Sequence, residues 1–205
     1  MLSGMLRVLI VGLVLLVAVM LALPRPGEPV EVATVFPEGM ALPDFRLADA
    51  RGAEFTVDDF RGRFTWVFFG FTNCPDVCPL TLQVLAEARA AVLARNAAFD
   101  PAVVFVSVDP NRDSAERIAA YLQSFDPDFR GVTGPDAALA PLLTKLGVTV
   151  EKHAHGGESY NVVHNPHVYL IGPDATWIAV SGTPHVAATI ASDYVKIRRR
   201  YRPPS

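Results

Sequence analysis

FTWVFFGFTNCPDVCPLTL, residues 64–82, decides how the chain folds. Phe64 to Phe71 is an unbroken aromatic and β-branched run, the pattern of a central strand buried on both faces. A short polar loop follows and carries Cys74 and Cys78. Pro79 suits the first turn of a helix, and Leu82, Leu85, Ala86, Arg89 and Val92-Leu93 give that helix an amphipathic spacing. Strand, loop and helix in this order begin an α/β sheet, and such sheets gather their sites at the carboxyl ends of strands. The two cysteines fall there.

Reading downstream, Val103 to Asp109 (VVFVSVD) is a second continuous apolar strand. Ser114 caps a helix whose apolar face holds Ile118, Tyr121-Leu122 and Phe125. Residues 136–146 read as another helix, closed by Gly147. HVYLIG (167–172) and WIAVSG (177–182) form a hairpin through Pro173-Asp174, and a last helix runs from about Pro184 to Arg200. Upstream, DFRLADARGAEFTVDDF (44–60) alternates around Arg51-Gly52 as a hairpin does. The pattern predicts an α/β domain with a mixed central sheet flanked by helices, in thioredoxin-like order with a strand extension ahead of it.

Residues 25–40, rich in Pro, Gly and Glu, read as a tether, with the domain spanning 41–205. Before the tether lies VLIVGLVLLVAVMLAL, Val8–Leu23, uncharged and apolar. The hydrophobic share of 51% and a mean hydropathy of +0.29 agree with a membrane segment. With Leu6 and a snorkelling Arg7 the run approaches the ~17–25 residues of a spanning helix. Residues 1–24 are therefore expected to be a transmembrane anchor or signal-anchor. A cleaved signal peptide is the competing reading, but no clean small-x-small site precedes LPRPG. Arg7 and the α-amino group precede the run and no acidic residue does, so the rest is expected outside the cytoplasm.

The chain carries a net charge of −3, and removing residues 1–23, whose only charge is Arg7, leaves −4. That argues against a general nucleic-acid binder. The tail VKIRRRYRPP is a local exception. Its cations suit the end of a helix, or contact with anionic lipid or an acidic partner.

The chain has only two cysteines, too few for a disulfide scaffold, and their four-residue separation suggests chemistry. On a helical turn both sulfurs can face one side, where they can close a disulfide or hold a soft metal ion such as copper. Cys78, expected at the helix N-terminus, would be the thiol favoured as thiolate. A two-thiolate copper site usually recruits an imidazole, and His153, His155, His164, His167 and His185 are the candidates. His164 and His167 should point to opposite faces of an extended segment, so only one of them would reach the cysteines. His153 and His155 lie in EKHAHGGESY, read as an exposed turn, and His185 as a local polar partner.

FFGFTNCPDVCPLTL, VFVSVDPNRDSAE and YNVVHNPHVYLIGPDA together resemble the SCO/SenC family of copper-binding proteins, over roughly residues 40–200. The resemblance implies a thioredoxin-like fold and copper as Cu(I) or Cu(II), with Cys74, Cys78 and His164 as ligands and the two cysteines as a redox pair. The family's Tyr-x-Val-x-His pattern falls here on Tyr160, Val162 and His164. It implies a copper metallochaperone or thiol–disulfide reductant serving the binuclear copper centre of cytochrome c oxidase. The partners implied are that oxidase's copper-bearing subunit and other copper chaperones. With the anchor, this places the protein in a bacterial inner membrane as a single-pass protein with its domain in the periplasm. The chain departs from the family at Val163, at Asn165-Pro166 and at Ala175, which keeps His167 open as a substitute ligand. Asp109 and Arg112 match the family pattern, with Asp109 either ordering the cysteine loop, neighbouring the metal or capping a turn. Asp76 either adjusts the thiolate field, meets a partner or is simply solvated.

Three rivals use the same residues. A thioredoxin-like oxidoreductase without copper would share both cysteines, with Pro166 read as the cis-proline of that fold. A peroxidase is suggested by LPDFRLADARGAEFTVDDF, but Thr72 lies two residues before Cys74 where a Thr-x-x-Cys motif needs three. A structural zinc site would need His164 and His167 on one side.

Overall fold

In the computed structural model the described residues are 10, 12–13, 29–154 and 160–202. Apart from positions 10, 12 and 13, the expected transmembrane segment lies outside them.

The strand read from Phe64–Phe71 is β4 (Thr65–Gly70), with every residue buried. It lies in the middle of an eight-stranded mixed sheet ordered β1-β10-β9-β4-β5-β6-β2-β3. β5 (Ala102–Ser107) runs parallel to it, and β6 (Arg130–Thr133) parallel to β5. β9 (Val168–Ile171) and β10 (Thr176–Ser181) are the expected antiparallel hairpin, and β9 pairs antiparallel with β4. β2 (Arg46–Asp49) and β3 (Glu54–Thr56) form the upstream hairpin and extend the far edge.

Each parallel crossover carries a helix. α1 (Val77–Arg95) joins β4 to β5 and α2 (Ala115–Gln123) joins β5 to β6. The crossovers move the same way along the sheet, so right-handed connections put both helices on one face. Gly131 in β6 makes room there, since a Cβ at that point would meet Ile118 at 2.2 Å. α4 (Ala187–Arg200) packs beside α1 on this face, with Tyr194 edge-on to Trp66 at 5.1 Å. α3 (Asp136–Leu146) packs near β2 and ends at Gly147, whose φ of 66° closes it as the sequence implied. α1 is apolar and long enough to cross a membrane. Yet Leu82, Leu85, Ala88 and Val92 are buried in the core, so here it is a core helix.

Four expectations are corrected. Residues 33–40 are not tether: Ala33–Ala41 is β1, the edge strand antiparallel to β10. Its register shifts between Val35 and Met40, which admits Pro37 and Gly39. EKHAHGGESY is not merely a turn. Val150–Ala154 (β7) and Tyr160–His164 (β8) pair as a separate hairpin, with 155–159, and so His155, outside the described residues. α1 begins two residues before Pro79. The cis peptide is Thr183–Pro184, and Asn165–Pro166 is not cis.

Candidate metal centre

β4 ends at Gly70, and Phe71 turns the chain into the cysteine loop. Gly70 is needed there, since a Cβ would stand 2.7 Å from the Phe105 ring and 3.1 Å from Cys78 Sγ. Cys78, in the first turn of α1, is thereby tucked against the strand end and fully buried. Cys74 is half-buried, and both thiols are free. Cys78 N–H donates to Cys74 Sγ at 3.4 Å.

The loop is held from below by Asp113. Its carboxylate accepts from Thr72 N–H at 2.9 Å, from Thr72 Oγ1 at 2.5 Å and from Ser107 Oγ at 2.5 Å. Arg117 closes the outer side, donating to Thr72 Oγ1 at 2.7 Å and to Asn73 Oδ1.

His164 ends β8 and reaches the same place. Its Nε2 lies 3.6 Å from Cys78 Sγ, and its Nδ1 lies 3.1 Å from the Asn165 carbonyl oxygen. A carbonyl only accepts, so Nδ1 carries the proton and Nε2 presents its lone pair to the sulfur. Phe68 and Phe71 stand edge-on to the imidazole at 6.2 and 6.0 Å. Burial among them lowers its pKa against the opposing pull of Asn165 and Cys74, which keeps the ring neutral.

The hairpin that carries His164 is anchored by Asp109. This buried carboxylate accepts from Arg112 Nε at 2.5 Å and from the Tyr160 hydroxyl. Arg112 also donates to the Tyr160 carbonyl at 3.0 Å and lies over the Tyr160 ring, 3.9 Å from its centroid. Of the readings of Asp109, an ordering role is what the geometry supports, but the segment it orders carries the histidine. Asp113 orders the cysteines. The sequence reading passed over Asp113, Thr72, Arg117 and the Tyr160 contact. An Asp four residues after a strand-end Asp was the one visible signal.

The two thiols are unlike. The Cys78 thiol donates to Cys74 sulfur, and with N–H groups of Asp76 and Cys78 this overcomes burial and draws Cys74 down to about 5. Cys78 is pushed up, by that same donated hydrogen bond and by burial. The thiolate expected at Cys78 is therefore at Cys74, because Cys74 sulfur, not Cys78 sulfur, accepts the helix N–H groups.

The remaining candidates lie elsewhere. His167 Nδ1 faces Asn165 Nδ2 at 3.1 Å and packs on Tyr169. His153 pairs with Glu151 on the exposed β7, and His185 Nε2 donates to the Pro166 carbonyl at 2.7 Å. Asp76 is exposed at the head of α1. Among the described residues no set of three or more His, Cys, Asp or Glu side chains is already closed about a metal-sized point. Cys74, Cys78 and His164 instead form an open chain with Cys78 in the middle.

A family model described as SCO1/SenC matches residues 37–199. Protein SCO1 homolog 1, mitochondrial, of Arabidopsis thaliana is 32% identical over 158 residues, covering 77% of this chain and 47% of that protein. The chain spans about half the length of the curated relatives it matches. The crystal structure of Arabidopsis thaliana ScoI with copper bound is similar at a TM-score of 0.73 and 30% identity, covering 80% of this chain and 99% of that one. BsSco, described as a member of the Sco family of cytochrome c oxidase assembly proteins, shares the fold at a TM-score of 0.64 and 21% identity, over 79% and 95% of the two chains.

Proposed function

The chain belongs to the SCO1/SenC family, and from that premise we propose that it binds copper through Cys74, Cys78 and His164 in the service of cytochrome c oxidase assembly. The observation that carries the reading is the approach of the His164 Nε2 lone pair to Cys78 Sγ, with the proton held at Nδ1 by Asn165. An oriented neutral imidazole beside two thiols is a soft donor set suited to Cu(I), and one that also tolerates Cu(II). Copper is cargo here. Its arrival displaces the Cys78 proton and draws Cys74 sulfur and His164 nitrogen toward one point.

Delivery needs a site that a partner's ligands can reach. Cys74 is half-buried, and Val77, Leu80 and Val163, next to the three donors, are exposed apolar side chains on which a partner can close. The partners we assign are the copper-bearing oxidase subunit and other copper chaperones. The same thiols support reduction of a target disulfide. Cys74 thiolate attacks one sulfur of that disulfide and releases the other as a thiolate, which takes up the Cys78 proton. Cys78 thiolate then attacks Cys74 in the mixed disulfide and releases the second partner sulfur, protonated from water, so the partner gains two thiols and this chain closes a disulfide. The low pKa of Cys74 favours this second role, and the two roles are not exclusive.

Residues 1–24 are assigned as the anchor of a single-pass protein of a bacterial inner membrane, with residues 41–205 as a periplasmic domain to which β1 (Ala33–Ala41) adds the edge strand. Tethering raises the effective concentration of the domain at a membrane-bound target.

The test is copper titration of the reduced full chain in detergent, with absorption and EPR detection. The account expects about one copper per chain with thiolate charge-transfer bands, lost in Cys74→Ala. A chain without such bands that still reduces a target disulfide would leave the copper-free oxidoreductase in its place.

A further inference from the structure

At the end of the molecule remote from the cysteines lies a groove of about 590 Å³ whose lining includes Val30, Phe36, Pro37, Ile197 and Tyr201. Arg200 and Arg202 line it, and these two and the neighbouring Arg199 of the same tail are exposed. Arg202 donates to the Tyr201 carbonyl at 2.9 Å, and two further cations of this tail are held against the fold. Arg198 lies over the Phe64 and Phe99 rings, 4.8 Å from each centroid, and Lys196 donates to the Pro29 carbonyl at 3.0 Å.

The way the chain reaches this groove fixes its orientation. Asp193, buried on α4, accepts from the N–H groups of Glu31, Val32 and Ala33 at 2.8, 2.9 and 3.1 Å. Lys196, one turn on, holds Pro29. Traced backward from β1, the chain therefore runs along α4 toward its basic end. Residues 24–28 separate Leu23, the last apolar residue of the N-terminal run, from Pro29. Fully extended they reach about 20 Å. If residues 8–23 span a bilayer, Pro29, which lines the groove, can stand no further than that from its surface.

An apolar, aromatic hollow rimmed by guanidinium groups has the chemistry of an interfacial surface, with side chains for the headgroup boundary and cations for anionic headgroups. We propose that this face is a membrane-contact surface that seats the domain on an anionic bilayer. The proposal rests on the anchor reading for its orientation and adds a second, reversible attachment. Its consequence is positional. Tyr201 packs on Phe64 at the start of β4, 5.3 Å between ring centroids, whereas the cysteines follow the end of β4. Six strand residues make about 20 Å, so a seated domain holds the cysteines on the side facing away from the lipid.

The test uses the full chain carrying a photoreactive benzoylphenylalanine at Phe36, reconstituted in vesicles with or without about a third phosphatidylglycerol in phosphatidylcholine. The expected result is lipid crosslinking at Phe36 that is several-fold stronger in anionic vesicles and weakened by salt, with none from the same probe at Leu80. Equal crosslinking at both positions, or none at Phe36 in a chain that resists carbonate extraction, would overturn the proposal. A chain that carbonate washes off would overturn the anchor reading instead. The contact surface is then read by co-sedimentation of the unmodified chain. Preference for anionic vesicles, lowered roughly a hundred-fold in Arg199→Gln/Arg200→Gln/Arg202→Gln, supports it, and equal binding to neutral vesicles overturns it.

Discussion

Cys74 and Cys78 differ by one hydrogen bond in their roles. Cys78 keeps its proton and donates a hydrogen bond to Cys74 sulfur, which also receives backbone N–H groups, so the pair begins as one thiolate and one thiol. With His164 neutral, copper loading at pH 7 is expected to release about one proton per metal, the one on Cys78. Affinity then rises with pH in proportion to that single proton and falls more steeply below about pH 5, where Cys74 takes up its own. The sign follows from the lowered pKa of Cys74: the thiolate is present above that value and lost as pH falls through it. Release of about two protons at pH 7, measured in weakly buffered solution, would contradict the assignment. Pattern alone located both cysteines. Their inequality was not legible, because it depends on which sulfur faces the helix N–H groups.

Two short elements bring the donors together, and each rests on a buried aspartate. Asp113 holds the cysteine loop through three hydrogen bonds. Asp113→Ala strands Thr72 and Ser107 donors, so it should cost about 3 kcal/mol in urea unfolding and broaden the copper charge-transfer bands. Gly70→Ala drives a methyl against Phe105 and Cys78. It is expected to cost about 1–3 kcal/mol and to weaken copper binding, whereas Gly52→Ala, strained by its φ of 89° but with nothing within 4 Å of an added Cβ, should cost stability and leave copper binding unchanged. Wild-type copper affinity in Gly70→Ala would contradict the packing described. β4, α1 and the Ser114 cap were legible because their signals are local. The β7–β8 hairpin was not. Its polar residues read as a turn, and its pairing is fixed by the tie between Asp109 and Tyr160, 51 residues apart.

On the scale of the molecule, the sheet separates two ends. One carries the thiols and the imidazole, the other the arginines and the groove. Asp193 ties the incoming chain to α4, and Asp193→Ala removes an acceptor from three N–H groups, with an expected loss of about 3 kcal/mol in the urea midpoint analysis. A loss under about 0.5 kcal/mol would show that β1 is held by its pairing with β10 alone. The mixed sheet and the order of its central elements were readable from alternating apolar runs. β1 was not, because Pro37, Glu38 and Gly39 describe a tether until β10 supplies a partner across the bulge. The end-to-end polarity was not either, since it depends on which way residues 29–33 run along α4.

The ligand set is the central claim, and His164 is the member most in need of a test, the one donor named by the family pattern rather than by cysteine chemistry. The direct measurement is copper affinity of reduced His164→Ala beside the unmodified chain, with the disulfide couple of Cys74 and Cys78 titrated in both. The account predicts at least a ~100-fold loss of copper affinity, more than removal of an outer-shell partner costs, with the cysteine pair still able to open and close. Full copper affinity in His164→Ala would contradict it.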